Sequence, residues 1–480
     1  MTHTNDLGQP IGAPVPDWTP PPRPAREVLA GQYVRLEPLD EDRHGPDLWE
    51  AFSANTDGSD WTYRMQEPFA SEAALTAWLR EIQSLDDMIY YAYVSQETGK
   101  ALGNGAFMTI APTAGSIEVG SIMFSPALQR TRMATEAMYL HMRWAFEAGY
   151  RRFEWTCDPL NLASMRAAAR LGLSYEANFR HAYVSKGRNR DKAVFAATDR
   201  DWPTIKTAFE TWLSPENFED GVQKIPLSEL TGPSLVATAP RFASSRKNDL
   251  GQPIDAEVAG WTPPRRPNDE VMEGRFCRLE RLTEAHGPDL FEALSDDTEG
   301  RVFTYMPNGP FAEYEAYLEW LRAEMTCSDP LQFAILVEGR GVGTASFLRI
   351  APEAGSIEVG YITFTPRLQR TPAATEAMFL MMQWAFEAGY RRYEWKCNAL
   401  NAPSRRAAMR LGLSYEGVFR QAQIVKDGNR DTAWYAAIDS EWPRLRAAFE
   451  TWLAPENFDQ QGQQRSSLSD MTEPVLIAKG

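Results

Sequence analysis

The run "QRTRMATEA", Gln129 to Ala137, contains residues whose types and spacing could do chemistry. It falls where a strand gives way to a helix beginning near Thr131. The first N–H groups of a helix have no partner inside it, and the helix dipole favours an anion there. A diphosphate suits such an end. Turns that hold phosphate ordinarily use glycine, and this one has none. Arg130 and Arg132 stand instead, and Thr131 and Thr135 offer hydroxyls. A guanidinium could replace part of the missing backbone donation, or the arginines could be solvated charges at a helix start. A second candidate is Glu118 in "GSIEVG", between Ile117 and Val119. A carboxylate on a central strand loses water, which raises its pKa and favours proton acceptance near neutrality. Glu118 is therefore a candidate general base, directly or through water, or else the partner of an arginine or an amine.

Both features occur twice. "NDLGQPI" begins at Asn5 and Asn248, "GSIEVG" at Gly115 and Gly355, and "WAFEAGYRR" at Trp144 and Trp384. A separation of 243 residues at the first pair settles to 240 from Gly115 onward, so the repeats differ by small loop deletions. The period is too long for a solenoid and indicates a domain duplication. Residues 1–237 form the first domain, 238–247 a short polar linker and 248–480 the second. Glu358 is the second carboxylate. The second turn reads "QRTPAATEA", with Gln369, Arg370, Thr371, Ala374 and Thr375 retained and Pro372 opposite Arg132. Proline fits a first helical turn but removes one N–H donor.

These pieces need a scaffold. "QYVRLEPL" alternates as a strand, and "RHGPDLWEAFSA" and "SEAALTAWLREIQS" read as helices, with Ser71 as an N-cap. "MIYYAYVS", "ALGNGAFMTI" and "GSIEVGSIMF" are consecutive strands. A long helix follows, with Met133, Ala137, Leu140 and Trp144 on one stripe and Gly149 at its end. Strand "RRFEWTC", helix "NLASMRAAARLG", a hairpin and a closing helix complete the unit. The expected fold class is α/β: two tandem domains, each a mixed, mostly antiparallel sheet flanked by helices. Ligands in such sheets bind where strands end and helices begin.

The stretch from "EVGSIMFSPALQRTRMATEA" to "DPLNLASMRAAARLGLSYE" resembles the core of the GNAT acetyltransferases, nearest the branch of ribosomal-protein N-terminal acetyltransferases. "EVGYITFTPRLQRTPAATEA" and "NALNAPSRRAAMRLGLSYE" match it again. The family's turn reads Gln/Arg-x-x-Gly-x-Gly/Ala; here Gln129 and Ala134 are kept, and Arg132 takes the glycine position. The resemblance implies acetyl-CoA as co-substrate and no metal. It also implies that the "GSIEVG" strand splays from its neighbour, with backbone near Ile122, Phe124, Ile362 and Phe364 holding the pantetheine arm. It makes Asn161 and Asn401 coenzyme ligands, although each could equally be an N-cap. Ser164 and Ser404 could protonate the leaving thiolate or make local hydrogen bonds. Many relatives use a tyrosine later in that helix, where this chain has Ala168 and Ala408; Tyr175 and Tyr415 lie beyond it.

The remaining residues read as structure. His44 and His286 precede "GPDL" and suit capping. Cys157 and Cys397 read as buried strand residues, because no histidine lies near them in sequence. "KGRNRD" and "KDGNRD" read as solvated hairpin tips, or as basic tips that screen an acidic substrate or the coenzyme's 3'-phosphate. "WTYRMQEPF" and "FTYMPNGPF" occupy the segment that, by resemblance, lines the acceptor pocket. With 43% hydrophobic and 24% charged residues the chain is of ordinary globular type. A net charge of -16 argues against nucleic-acid or membrane partners. Four cysteines without CxxC spacing imply neither a disulfide framework nor zinc. The N-terminus lacks a signal-like pattern, so a cytoplasmic protein is expected. The expected activity is acetyl transfer from acetyl-CoA to a primary amine of a small molecule or a peptide or protein N-terminus. The two domains could pair as a covalent pseudo-dimer. The alternative is a non-catalytic CoA-binding or interaction protein with one or both domains degenerate.

Overall fold

A computed structural model describes residues 3–268 and 270–480. In the first repeat, strand β1 (Val34–Pro38) leads to helices α1 (Glu41–Ser53) and α2 (Glu72–Gln83). Strands β2 (Ile89–Ser95), β3 (Ala101–Ala111) and β4 (Ser116–Phe124) form an antiparallel meander. Helix α3 (Arg132–Glu147), strand β5 (Arg152–Cys157) and helix α4 (Leu162–Arg170) follow. The hairpin β6 (Ser174–Ser185) and β7 (Arg188–Thr198) and helix α5 (Trp202–Leu213) end the unit. The second repeat has the same order. Its elements are β8 (Arg278–Arg281), α6 (Gly287–Leu294), α7 (Tyr314–Met325), β9 (Leu331–Val337), β10 (Arg340–Ala351) and β11 (Ser356–Phe364). They continue with α8 (Pro372–Glu387), β12 (Arg392–Asn398), α9 (Ala402–Arg410), β13 (Ser414–Val425), β14 (Gly428–Ile438) and α10 (Trp442–Leu453).

Local chemistry sets the helix boundaries. Ser71 caps α2 by accepting from the Ala74 N–H at 3.2 Å, and Asp40 caps α1 through the Arg43 N–H at 2.9 Å. Gly149, at φ 100°, ends α3 in a conformation that side chains resist. Helix α3 buries more than the single stripe its sequence suggests. One face lies on Ile117, Val119 and Phe153 of the sheet. The other lies under α5, where Tyr139 stacks on Phe209 and Phe146 on Trp202 at 5.2 and 5.0 Å between ring centroids. The buried Glu136 carboxylate accepts the N–H groups of Gln32, Tyr33 and Val34 at 2.7, 2.6 and 2.9 Å, tying α3 to the start of β1. Glu376 does the same for Arg275, Phe276 and Cys277.

Among the described residues, one sheet of 16 strands runs through both repeats. Its strand pairs are antiparallel except β4 with β5 and β11 with β12. The repeats meet where β6 pairs with β13 at the single register position Ala177–Gly417. Around that point, Arg152 and Arg392, both fully buried, reach across. Arg152 binds Glu176 at 2.7 Å and donates to the Arg420 carbonyl at 2.8 Å. Arg392 binds Glu416 at 2.6 Å and donates to the Arg180 carbonyl at 2.8 Å. Arg420 in turn pairs with Glu176 and Asp201, and Arg180 with Glu416 and Glu441. Phe179 and Phe419 stack 5.5 Å apart inside this ring of charge, each under the opposite repeat's buried guanidinium.

The repeated "NDLGQPI" segments cross over. The first arm lies on the second repeat: Asn5 and Gln9 bond Thr304, and the Tyr305 hydroxyl donates to the Pro10 carbonyl at 2.8 Å. The second arm lies on the first repeat, with Asn248 and Gln252 on Thr62 and the Tyr63 hydroxyl donating to the Pro253 carbonyl at 2.9 Å. The tips of the β6–β7 and β13–β14 hairpins hold these arms. Asn189 N–H donates to the Ala256 carbonyl, and Asn429 N–H to that of Ala13. The tips are therefore not free solvated turns: Lys186 also bonds the Trp61 carbonyl and Lys426 that of Phe303.

A Cβ on Gly417 would stand 1.9 Å from the Glu176 carbonyl oxygen and 2.7 Å from the Ala177 Cβ. Gly417→Val should therefore open the junction, at a cost of about 1–3 kcal/mol or more. Calorimetry should then resolve two unfolding transitions in place of a coupled one, with faster amide exchange in β6 and β13. An unchanged single transition would count against this account of the junction.

Candidate active site

The parallel pairing that joins β4 to β5 is short. It holds Ser116 to Arg152, Ile117 to Phe153 and Glu118 to Glu154, then stops, while β4 runs on to Phe124. In the second repeat it extends one position further, to Val359 with Trp395. Beyond that point β4 bends: Ser121 takes φ 50° and Tyr361 of β11 takes φ 46°, beside register shifts against β3 and β10. Residues Gly120 to Phe124 and Gly360 to Phe364 thus border a wedge between strands that no longer pair.

Glu118 sits at the mouth of that wedge. It is 6% exposed, and its Oε1 and Oε2 accept from the hydroxyls of Thr156 at 2.6 Å and Thr109 at 2.9 Å. Burial pushes its carboxyl above the ordinary carboxylate range; Lys192 pulls it down, and Glu154 adds to the rise. Glu358 has different company. Arg349 lies 3.2 Å and Lys396 3.4 Å from its Oε2, at the positions of Thr109 and Thr156. Burial still pushes it up to about 7, with both cations opposing. The two carboxylates therefore share a position but not an electrostatic setting. Comparing the two repeats residue by residue exposes this difference in sequence; reading each repeat alone does not.

Past the wedge, α3 begins. Thr131 is its N-cap, accepting from the Ala134 N–H at 3.1 Å and donating to the Leu128 carbonyl at 2.7 Å. The N–H groups of Arg132 and Met133 have no acceptor among the described residues. Pro372 removes the first of these from α8. Arg130 and Arg370 both take φ 62°, which glycine adopts without strain, and both side chains are exposed and lack a partner among the described residues. The other candidates at the turn face elsewhere. The Arg132 guanidinium stacks on Phe218 at 4.0 Å and donates to the Tyr33 hydroxyl. Thr135 and Thr375 are buried and accept from Arg170 and Arg410 at 3.2 and 3.1 Å. Ala134 and Ala374 are buried in the core. Gln129 bonds the Phe124 carbonyl and Asp60, and Gln369 the Phe364 carbonyl, bracing the end of the wedge strand.

Asn161 and Asn401 are N-caps, each accepting from the N–H of Ser164 or Ser404 at 3.1 Å. The serine hydroxyls accept the indole N–H of Trp155 and Trp395 at 3.0 and 3.1 Å. Trp155 belongs to the core under α3, whereas Glu118 and Thr156 alternate to the opposite face of the sheet. The acid–base candidates of each repeat are therefore reached from two faces of one gap. Burial holds Tyr175 and Tyr415 above their ordinary pKa. It also pushes the Cys157 thiol up to about 12, which makes it a poor nucleophile. His44 Nδ1 accepts from the Asp40 N–H and His286 Nδ1 from that of Thr283, so both histidines serve helix starts.

Several site residues are visible only in three dimensions. Arg64, in the aromatic segment after α1, donates to the Ile122 carbonyl at 2.8 Å, inside the wedge; Met306 holds the equivalent position. Asp255 arrives on the second arm. One carboxylate oxygen is buried without a partner, and burial plus repulsion from Asp191 and Asp158 push its pKa up to about 7. Tyr183 feels both Asp158 and Glu118, which places this acidic group beside the carboxylate site of the first repeat. The second repeat has Asn398 and Gly12 opposite Asp158 and Asp255. Among the described residues, no cluster of three or more His, Cys, Asp or Glu could hold a metal ion, and no helix is long and apolar enough to cross a membrane.

The family described as acetyltransferase (GNAT) domain matches residues 34–174 and again 277–414. An uncharacterized N-acetyltransferase YnaD of Bacillus subtilis (strain 168) is 26% identical over 156 residues, 32% of this chain and 88% of that protein. A ribosomal-protein-serine acetyltransferase of Escherichia coli (strain K12) is 30% identical over 106 residues, 22% of this chain and 59% of that protein. Among solved structures, a GCN5-related N-acetyltransferase from Brucella melitensis is 45% identical, with 45% of this chain covering 100% of that one at a TM-score of 0.44. The two matched regions span more than half of the sequence, each holding one wedge and one helix start, and the chain belongs to the GNAT acetyltransferase family as a tandem pair of its domains.

Proposed function

We propose that the first repeat transfers an acetyl group from acetyl-CoA to a primary amine, of a small molecule or a peptide N-terminus, with Glu118 as general base. The observation that supports this most is the Glu118 carboxylate: buried at the mouth of the wedge, held by two neutral hydroxyls, with its proton affinity raised. The acetyl thioester supplies the group to be transferred. The edge of residues 120–124 that faces away from β3 and has left β5, and the free N–H groups of Arg132 and Met133, suit its pantetheine arm and diphosphate, and Arg130 supplies an unpaired guanidinium. Thr109 and Thr156 fix the carboxylate, which takes a proton from the amine as its nitrogen bonds to the carbonyl carbon. The Ser164 hydroxyl, which accepts from Trp155 and hydrogen-bonds the Cys157 thiol, is the candidate donor to the departing sulfur. Asp255, with one buried carboxylate oxygen unpartnered, suits an acceptor that arrives as a cation, whereas Asp158 already pairs with Arg190 at 3.5 Å.

The second repeat reads as a coenzyme-binding partner with little chemistry of its own. Arg349 and Lys396 flank Glu358, and Pro372 reduces the anion cradle. In this reading the chain is a covalent pseudo-dimer with one working half.

Thiol release from acetyl-CoA with a panel of amines and peptides is the direct test. Glu118→Gln should lower kcat/KM by about 10²–10⁴-fold, and Glu358→Gln should leave it near wild type. Absence of turnover, or a Glu118→Gln enzyme equal to wild type, would overturn the proposal.

The pH profile gives a second check. A carboxyl raised above 4.5 in the folded protein must lose its proton before it can serve as base. Activity should therefore rise with pH along a limb above the usual carboxylate range. Thr156→Lys, which sets an ammonium beside the carboxylate in place of a hydroxyl, should move that limb to lower pH, and Glu118→Gln should remove it.

Arg130→Ala should raise the KM for acetyl-CoA several-fold, on the order of one lost charge-assisted contact, with kcat nearly unchanged. Steady-state kinetics with acetyl-CoA varied at saturating amine would check it.

A further inference from the structure

A pocket of about 410 Å³ lies at the junction, between the first arm, the start of β5 and the β13–β14 hairpin. Residues 13–16 form one wall, and Arg151, Asp199, Arg200, Gln421 and Asn429 form the rest. It shares none of these residues with the wedge. Arg151 is only 7% exposed. Its Nη2 donates to the Asn429 Oδ1 at 3.1 Å, its Nε lies 3.7 Å from Asp199, and its Nη1 has no partner. Gln421 is 4% exposed, and its Oε1 is also unpartnered. Arg200 stands exposed at the rim, without a partner among the described residues. Unpaired buried donors and acceptors are costly and rare in folded proteins, so these two require a reason.

The duplication supplies an internal control. At the equivalent place in the second repeat, all three nitrogens of Arg391 are used. Nε meets Asp439 at 3.1 Å, Nη1 donates to Asn189 at 3.1 Å, and Nη2 lies 3.0 Å from the Nδ1 of His181. His181 occupies the position of Gln421, and Ser440 that of Arg200. One side of the junction is closed by its own side chains. The other has a glutamine in place of the histidine, a second arginine in place of the serine, and a cavity.

We propose that this pocket binds a small oxyanion: the carboxylate or phosphate group of a metabolite that also carries a hydrogen-bond donor. Arg151 and Arg200 are balanced by Asp199 and by Asp431 behind Asn429, so directed donors rather than net charge would hold the oxyanion. The planar guanidinium of Arg151 carries one N–H that is unused and buried beside the pocket, for an oxygen lone pair to take. The Gln421 carbonyl accepts from a donor beside the anion, such as the hydroxyl of hydrogen phosphate or of an α-hydroxy acid. The volume admits a metabolite rather than a bare ion alone. Bound there, the ligand would join the first arm to both repeats.

Titration calorimetry of the full chain, without coenzyme, against inorganic phosphate and against lactate tests this. Saturable binding of either probe is expected, and the stronger one identifies the source of the oxyanion. Arg200→Ser and Gln421→His copy the closed side, so the folded state tolerates both residue types in this setting. Each should weaken binding about tenfold or more. Arg151→Met should abolish binding; a circular-dichroism melt reports whether that variant still folds. No binding of either probe at millimolar concentration, or equal binding by wild type, Arg200→Ser and Gln421→His, would overturn the proposal. Neither result bears on whether Glu118 supports acetyl transfer.

Discussion

Two buried guanidiniums hold this molecule in one piece. Arg152 and Arg392 each bind their own repeat's carboxylates and a backbone carbonyl of the other repeat. Such pairs contribute little net stability against well-packed apolar side chains, but removing one partner strands the others at a cost of about 3–5 kcal/mol. The arrangement therefore specifies geometry more than it adds stability. It does so at a sensitive place. Arg152 is the first residue of β5 and stands opposite Ser116 in the parallel register that joins β4 to β5. The contact that joins the repeats also anchors the strand whose divergence opens the wedge.

From that anchor the wedge follows with few further requirements. Three register pairs hold β4 to β5, and the bend at Ser121 then carries β4 away. A non-glycine residue in the left-handed region costs of order 1–3 kcal/mol and persists where the surroundings enforce it. The Tyr90 hydroxyl bonds the Ser121 hydroxyl, and Asn104 bonds its carbonyl, so the neighbouring strands enforce it here. The same backbone device recurs at Tyr361 with a different side chain. Backbone geometry has thus been retained in both repeats while the charges around the carboxylate have diverged. The second repeat has cations where the first has hydroxyls, and a proline where the first has one N–H of the anion cradle.

The sequence made the α/β class, the duplication and most element boundaries legible, because period, caps and breaking glycines act over a few residues. The carboxylate position was legible for the same reason: Glu118 interrupts an apolar strand. Side-chain direction was not. Arg132, Thr135 and Thr375 read as part of an anion site from their place in the turn, yet the segment after α5, α4 and α9 draw them inward. The crossed arms were equally hidden. "NDLGQPI" is visibly repeated, but nothing in a repeated string tells whether it packs on its own repeat or the other. Hence Asp255 could not be assigned to the first repeat's site, nor the hairpin tips to the task of holding arms.

The crossing changes what a duplicated domain means. If each arm packed on its own repeat, either half could diverge without consequence for its neighbour. Here the segment after α1 of each repeat is braced by an arm from the other, through Thr62 and Tyr63 on one side and Thr304 and Tyr305 on the other. A substitution in the second arm, such as an aspartate where the first has Gly12, acts on the first repeat's site instead of its own. Gly12 could not have changed in the same way, since a Cβ there would lie 1.6 Å from the Asn429 carbonyl oxygen. Each repeat is thus constrained by the other's surface, and the two can differ only where the partner surface allows it. Under that constraint a pair that keeps one order of elements still carries different residues around its two carboxylates.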